Sequence, residues 1–345
     1  MAALLRLASA AALALACSSA APAAAPAADA QLFAFAIRGA NQTGEEASTA
    51  LIDAVTGRVD FKKTSFNHGS DAFCDVAFRR TPVPAYLVPA AIAGGKTGET
   101  QILTIHAASG IVSHASPKLS RTYEYPASAF DEESGLIYAI GIPPEGGSDI
   151  ITVNPDSGEV EIVAAQIGLP DIQLCEAAFL RNQFFFAWMD DTSQIVVTYD
   201  VASKNVSQVH YIMCPGECRG GMNTIVPFVD EASNSTHLLA MAVYGGPGAP
   251  SPAVIEIDPA VDDAIKVLAR CPEDTISSPQ GAGTFDAATK TFYTVMLYTN
   301  NTQPMSVYYQ LVSTNLDAPA YNILRLDEGG SSDFPASQLW SIDVA

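Results

Sequence analysis

Basic residues are scarce in this chain of 345 residues: 17 Lys and Arg stand against 37 Asp and Glu, for a formal net charge of −20. Nucleic-acid binding needs a surplus of Lys and Arg that neutralises phosphates and releases their counterions. Docking on an anionic membrane surface needs the same surplus. The charge balance therefore argues against nucleic acid and against an anionic membrane surface as partners.

Long apolar runs and long amphipathic helices are also missing beyond residue 30, where Gly, Pro or a charge breaks each apolar stretch. A membrane-spanning helix needs about 20 consecutive apolar residues. Residues 339–345 lack the polar spacer and apolar tail of a lipid-anchor signal. We therefore expect no membrane insertion. The 48% of hydrophobic residues, with 15 Phe and 12 Tyr, are sufficient for a packed core and argue against disorder.

Residues 1–20 have the pattern of a secretory signal peptide. One cation, Arg6, precedes an Ala- and Leu-rich stretch that is too short to anchor in a bilayer, and small residues suited to cleavage follow it. Residues 21–30 form a low-complexity Ala/Pro spacer, so we expect the mature chain to begin between Ala21 and Gln31. The alternatives are a buried N-terminal helix and a lipoprotein whose Cys17 carries the lipid.

Four asparagines carry the Asn-x-Ser/Thr pattern that N-glycosylation requires. These candidate glycosylation sites are Asn41, Asn205, Asn234 and Asn300. Each three-residue pattern is weak alone because it also arises by chance. Together with the signal peptide, the four favour a secreted, extracellular glycoprotein of eukaryotic origin.

The rest of the chain consists of short runs rich in Val, Ile, Phe, Tyr and Thr, separated by Gly, Pro, Asn and Asp, which predict β-strands and turns. A turn between the third and fourth strand of a four-stranded unit recurs about every 50 residues. Its positions are Asp53, His106, Asn154, Asp200, Asp258 and Asn315. An inner strand that ends in Phe recurs at Phe78, Phe130, Phe179, Phe228 and Phe285.

Four-stranded units in about six copies predict an all-β fold of the β-propeller type, because no unit can bury its faces alone and the units must stack radially. The first unit lacks an inner strand, and residues 338–344 supply one more strand at the C-terminus. We therefore expect the N- and C-terminal strands to share one blade, and residues 31–345 to form a single domain. Five or seven blades, or a pair of β-sandwiches, are the alternatives.

On this pattern of strands and turns the chain resembles the large group of secreted six-bladed β-propellers. The resemblance covers residues 32–345 and implies the fold. The sequence lacks the Tyr-Trp-Thr-Asp signature of lipoprotein-receptor propellers, the kelch double-Gly pattern and the Trp-Asp blade ending. It matches neither the gluconolactonase nor the strictosidine-synthase family residue by residue, so the resemblance implies no catalytic residue.

The order of strands in a blade divides the connecting segments between two faces. Links between blades and loops from second to third strands form one face, which we call the loop-rich face. Its long loops include residues 39–44, 94–98, 141–147 and 245–250. The short turns form the opposite, tight-turn face. Long loops on a rigid scaffold commonly carry binding sites, so we expect the ligand on the loop-rich face; the alternative is that these loops are only solvated.

Five cysteines remain after removal of the signal peptide: Cys74, Cys175, Cys214, Cys218 and Cys271. All five fall on the loop-rich face, and in an oxidising compartment they are expected to form structural disulfides. Cys218 could pair with Cys214 or with Cys175, and the odd number leaves one thiol free or paired between chains. A zinc site is disfavoured because the nearby His210 has no second His or Cys pair at ligand spacing.

Two acidic residues are candidate metal ligands. Asp75 and Glu176 occupy equivalent positions at the start of two inner strands, at the mouth of the central channel. Carboxylate oxygens are ligands that Ca²⁺ prefers, so this pair could hold a calcium ion. The alternative is an acidic rim without a metal.

No catalytic constellation is recognisable, since the five His are scattered over different units and no Gly-x-Ser-x-Gly elbow is present. The sequence therefore favours a secreted binding protein that recognises an extracellular protein or carbohydrate through its loop-rich face. One alternative is a Ca²⁺-dependent hydrolase of lactones or esters, with Asp75 and Glu176 among its metal ligands. A weaker alternative is a structural component of a wall or matrix.

Overall fold

The computed structural model describes residues 30–38, 45–68, 76–92, 99–168, 175–189, 194–211, 222–244, 251–271, 277–300, 306–326 and 337–345. Within these ranges the regular elements are 24 β-strands. No helix found there is long and apolar enough to cross a membrane.

The strands form six four-stranded antiparallel sheets, each of which is one blade. Blade 1 contains β1 (Gln31–Arg38), β2 (Glu45–Asp53), β3 (Val59–His68) and the C-terminal β24 (Ser337–Val344). Blades 2 and 3 contain β4 (Ala77–Arg79), β5 (Ala85–Ala91), β6 (Thr100–His106), β7 (Val112–Ala115), β8 (Glu124–Asp131), β9 (Leu136–Ile142), β10 (Asp149–Val153) and β11 (Val160–Ala164). Blade 4 contains β12 (Cys175–Leu180), β13 (Gln183–Met189), β14 (Gln194–Asp200) and β15 (Asn205–Tyr211). Blades 5 and 6 contain β16 (Met222–Asp230), β17 (Ser235–Tyr244), β18 (Ser251–Ile257), β19 (Ile265–Arg270), β20 (Ser277–Asp286), β21 (Thr291–Asn300), β22 (Ser306–Asn315) and β23 (Asn322–Arg325).

The two ends of the propeller domain meet in blade 1, which confirms the predicted closure. The strand order is β24-β1-β2-β3, so the C-terminal strand is the inner strand of the blade that the N-terminal strand begins. Asp343 pairs with Phe33 and Ile342 with Ala34 across the β24–β1 ladder. Closure of this kind covers the edge of β1, which would otherwise be open for pairing with another chain. The six-bladed β-propeller predicted from the repeat is confirmed.

Packing between blades, rather than one central core, holds the ring together. Among the described residues, six separate clusters of buried apolar side chains lie at the six blade–blade interfaces. At the interface of blades 1 and 2, for example, the rings of Phe35 and Tyr86 lie 5.5 Å apart. The second and third strands of a blade are covered on both sides by neighbouring blades, which explains their near-continuous apolar runs.

The recurring Asp or Asn of the sequence begins the turn from the third to the fourth strand. The Asn154 side-chain oxygen accepts hydrogen bonds from the backbone N–H groups of Asp156 and Ser157, at 2.9 and 3.0 Å. Asp53, Asp200, Asp258 and Asn315 accept comparable bonds within their own turns. His106 is the exception, and there the backbone N–H of Gly110 closes the turn on the His106 carbonyl at 2.9 Å. The repeat is visible in the sequence because this turn chemistry is local.

Glycines let several of these turns pack directly against the preceding blade. Gly57, Gly110 and Gly158 all have positive φ, and a Cβ at each would approach a backbone carbonyl of the neighbouring blade or its link. The corresponding turns of blades 4, 5 and 6 contain no glycine. In blade 5 the N–H of Asp263 donates to the His210 carbonyl of β15 at 3.2 Å.

Candidate functional site

A cavity of about 780 Å³ lies along the axis of the ring. The inner strands β8, β12, β16 and β20 line it over their C-terminal halves, together with the turns that follow them. Antiparallel order places these turns and the third-to-fourth-strand turns at the same end of the blades, on the tight-turn face. The described cavity therefore reaches the face opposite to the one on which the sequence predicts the ligand.

The recurring inner-strand phenylalanines lie on the wall of the cavity, beside polar side chains such as Glu176 and Thr284. Phe78, Phe130, Phe179, Phe228 and Phe285 are the members of this set, one from each of five inner strands. Their rings also pack into the blade interfaces. Phe179 stacks on Tyr138 with 4.8 Å between ring centroids, and Phe228 lies 5.6 Å from Phe285. Because these rings are shared between the wall and the interfaces, the wall is a rigid part of the scaffold.

Carboxylates dominate the rim of the cavity at the tight-turn face. Glu132 and Glu133 are exposed at the turn after β8, and Glu231 and Asp317 are exposed in blades 5 and 6. Hydrogen bonds from the backbone N–H of Arg80 and, at 2.8 Å, from the Thr81 hydroxyl hold the Glu132 carboxylate in place.

Some rim charges are already paired within the protein. The Lys290 ammonium lies 3.4 Å from Glu231 and 3.5 Å from Asp317, and the Asp317 carboxylate is the main cause of the raised pKa of Lys290. Lys266 likewise pairs with Glu256 at 2.8 Å. The acidic residues that line the cavity outnumber Arg and Lys, so pairing leaves a net negative rim.

Glu176 lines the cavity on β12 and is 6% exposed. Asp75, its predicted partner as a metal ligand, lies outside the described residues, so the predicted pairing is not tested. Within the described part of the chain, no group of three or more His, Cys, Asp or Glu is arranged to hold a metal ion. The calcium site remains a prediction.

Among the predicted cysteines, Cys74, Cys214 and Cys218 lie outside the described residues, and Cys175 is described only as the first residue of β12. Cys271 is a buried free thiol, and its contact with Tyr321 contributes, after burial, to the raised pKa of that tyrosine. The structure therefore gives no disulfide to Cys271, which suits the odd thiol expected from the count. The pairing of the other four stays a prediction.

Two of the four predicted glycosylation sites can be located fully in the structure. Asn41 lies outside the described residues, and Asn300 is described only as the last residue of β21. The expected signal peptide with Cys17, and the spacer up to its last residue, also lie outside the described residues. Asn205 and Asn234 are exposed. Both belong to the tight-turn end of their blades, Asn205 at the start of β15 and Asn234 in the turn before β17.

Sequence reasoning missed the charged rim. Glu132, Glu133, Arg181 and Lys290 all line the cavity, and none of them was among the predicted site residues. The position of these residues in the sequence could have indicated the rim. Each lies in the turn that follows an inner strand, and in a propeller all such turns surround the axis.

Comparison with known proteins supports the fold. No family model matches the chain, and no curated protein matches it. Among solved structures, the nidogen/laminin complex matches with a TM-score of 0.52 at 12% identity, over 91% of this chain and 98% of that one. TolB from Acinetobacter baumannii matches with a TM-score of 0.51 at 13% identity, over 91% and 66%. A putative TolB from Agrobacterium tumefaciens matches with a TM-score of 0.50 at 8% identity, over 91% and 99%.

Identities this low show the fold and not the activity. The fold and the site together define a six-bladed β-propeller, closed by its C-terminal strand, with a phenylalanine-lined cavity on its axis and an acidic rim at the tight-turn face.

Proposed function

We propose that this protein is an extracellular binding protein whose axial cavity receives a segment of a partner protein at the tight-turn face. The cavity carries the proposal, since its volume of about 780 Å³ and its phenylalanine wall suit the burial of apolar anchor side chains. The likeness in fold to the propeller of the nidogen/laminin complex, a propeller bound to another protein, supports a protein partner. The secretory pattern of residues 1–20 supports an extracellular place.

The charge of the rim indicates the chemistry of the partner. Carboxylates such as Glu133, which forms no ion pair with any described residue, surround the mouth. Hydrogen bonds from Ser233 hold the pKa of Asp230 below its usual range, so that this carboxylate stays ionised. Complementary charge steers association and fixes which partners are accepted. We therefore expect a segment in which an aromatic or aliphatic anchor is flanked by Lys or Arg.

Synthetic peptides test this directly. We expect peptides with a Phe or Leu anchor flanked by Lys and Arg to bind in fluorescence polarisation, and the same anchors flanked by Asp and Glu to bind more weakly. Salt should weaken the binding, since exposed charges are screened within about 10 Å at 0.1 M ionic strength. Glycan binding without binding of any basic peptide would contradict the proposal.

A pair of matched variants locates the site. Glu133 and Glu145 are both exposed, but Glu133 lines the cavity rim, whereas Glu145 lies in the loop between β9 and β10 on the loop-rich face. We expect Glu133→Lys to weaken binding of the basic peptide by about fivefold, the effect of about 1 kcal/mol. Glu145→Lys makes the same change in net charge and should leave binding nearly unchanged. A larger effect of Glu145→Lys would place the site on the loop-rich face.

A further inference from the structure

A second, polar groove of about 440 Å³ lies between blades 4 and 5, close to the tight-turn face. Hydroxyl and amide side chains dominate its lining: Gln183, Thr198, Ser207, Asn234, Ser235 and Thr236. Side chains of this kind both donate and accept hydrogen bonds, which suits the hydroxyl and acetamido groups of a sugar.

The third-to-fourth-strand turn of blade 5 forms part of the groove. The Asp258–Ala264 turn docks on the outer strand of blade 4, where the Tyr211 hydroxyl donates to the Asp258 carbonyl at 2.6 Å and the Asp262 carboxylate accepts from the His210 N–H at 3.2 Å. Pro259 and Ala260 of this turn form one side of the groove.

Thr198 offers a hydrogen-bonding group at the groove. It lines the groove on β14 and is 7% exposed, and its hydroxyl oxygen is buried without a hydrogen-bond partner among the described residues. A buried polar group without a partner costs free energy, and a hydrogen bond to a ligand or water in the groove would remove that cost.

The sequence places an N-glycosylation site on the groove itself. Asn234, Ser235 and Thr236 make up one Asn-x-Thr pattern, and all three line the groove. The Arg181 guanidinium donates to the Asn234 backbone carbonyl and to its side-chain Oδ1, both at 3.2 Å. Because arginine only donates, Oδ1 faces Arg181, and Nδ2, the atom that N-glycosylation modifies, is left free on the other side of the amide.

We propose that Asn234 carries an N-linked glycan whose first N-acetylglucosamine lies in this groove and hydrogen-bonds to Thr198. The inference rests on the expectation that the chain enters the secretory pathway. In the modification, Nδ2 loses a proton and bonds to C1 of the sugar; the bond from C1 to the lipid-linked pyrophosphate donor breaks, and the pyrophosphate leaves with the electron pair. Arg181 keeps its bond to Oδ1 and positions the amide.

Glycopeptide mass spectrometry of the full chain, secreted from a eukaryotic host, is the first test. We expect Asn234 to be occupied. Asn205 is the internal control, because it is exposed and is not among the residues that line the groove. Occupied Asn205 with bare Asn234 overturns the inference while secretion stands. If both are bare in the secreted protein, the inference and the expected glycosylation fail together.

Stability then tests whether the sugar lies in the groove. We expect trimming to the single first sugar with an endoglycosidase to leave the urea unfolding midpoint unchanged, and Asn234→Gln to lower it more than Asn205→Gln does. In the glycosylated protein, Thr198→Val should raise the unfolding equilibrium constant about fivefold, and Thr198→Ser should restore it. In the Asn234→Gln background Thr198→Val should have no such effect. An equal effect of Thr198→Val in both backgrounds overturns the inference, as does an Asn234→Gln effect no larger than that of Asn205→Gln.

Discussion

Two glycines of blade 3 allow the packing between blades to be measured apart from backbone strain. Gly135, between β8 and β9, and Gly158, between β10 and β11, both have φ of +71°. Each donates its N–H to the carbonyl that opens its turn, at 2.9 Å. They differ in their surroundings: a Cβ at Gly135 would meet nothing within 4 Å, whereas a Cβ at Gly158 would lie 2.7 Å from the Pro117 carbonyl oxygen.

Both Gly→Ala changes therefore carry the cost of a left-handed backbone, but only Gly158→Ala also creates a steric clash. The left-handed backbone costs an L-residue about 1–2 kcal/mol, offset by about 0.4–1 kcal/mol from the stiffer unfolded chain. Gly158→Ala must also push the turn away from the link between blades 2 and 3, and overpacking of this kind costs about 1–3 kcal/mol. We expect Gly158→Ala to destabilise the fold by about 1–3 kcal/mol more than Gly135→Ala does.

Urea unfolding of the two variants and the wild-type chain measures the difference, and hydrogen exchange locates it. The Gly158 carbonyl accepts from the Ser120 N–H at 2.9 Å, and the Ser120 hydroxyl accepts from the Val160 N–H at 2.9 Å. Displacement of the turn should accelerate exchange of these two amides in Gly158→Ala alone. Equal destabilisation by the two changes would refute the argument that the turns hold neighbouring blades together.

Three further predictions concern acid stability, closure and metal. Hydrogen bonds from the Ser203 hydroxyl and N–H hold the pKa of Asp200 below its usual range, so its stabilisation is present above the unfolded-state pKa of about 3.9 and is lost as pH falls through the lower folded-state value. Asp200→Asn keeps a side-chain oxygen that can accept the hydrogen bonds of the turn, as Asn154 does in its own turn. The wild type should therefore be more stable than Asp200→Asn at pH 7, and urea titrations should show this difference in the free energy of unfolding shrink towards pH 3. Deletion of residues 337–345 removes β24 and exposes the β1 edge, so size-exclusion chromatography should show aggregation; a monomer with unchanged unfolding would contradict the importance of closure. Native mass spectrometry with and without chelator tests the calcium hypothesis: a binding protein should show no change, whereas a chelator-removable calcium that Glu176→Gln abolishes would support the hydrolase.

The blade repeat could be found in the sequence because its signals are local. An Asp or Asn that accepts hydrogen bonds from N–H groups two or three residues ahead leaves a mark at each third-to-fourth-strand turn, as at Asp53 and Asn315. Closure by the C-terminal strand was also predictable, since the first unit lacks an inner strand and one strand remains at the end of the chain.

The candidate site was predicted less well. The inner-strand phenylalanines were recognised as a repeat, but their shared place on the cavity wall follows only from the closed ring. Glu176 lines the cavity, but its role as a metal ligand stays a prediction. The loop-rich face and its cysteines lie largely outside the described residues and also remain predictions.

The sequence by itself determined the strands, their turns and the blade repeat, because each depends on hydrogen bonds and alternation among residues close along the chain. It also determined the closure, because the first unit lacks an inner strand and the C-terminal residues supply one. Only the tertiary structure decided where the rim charges and the polar groove lie. Glu132 and Lys290 line one cavity, and Thr198 and Asn234 line one groove, although each pair is far apart in sequence. Whether residues distant in sequence lie together depends on how whole blades pack against one another, and a local sequence pattern does not indicate that packing.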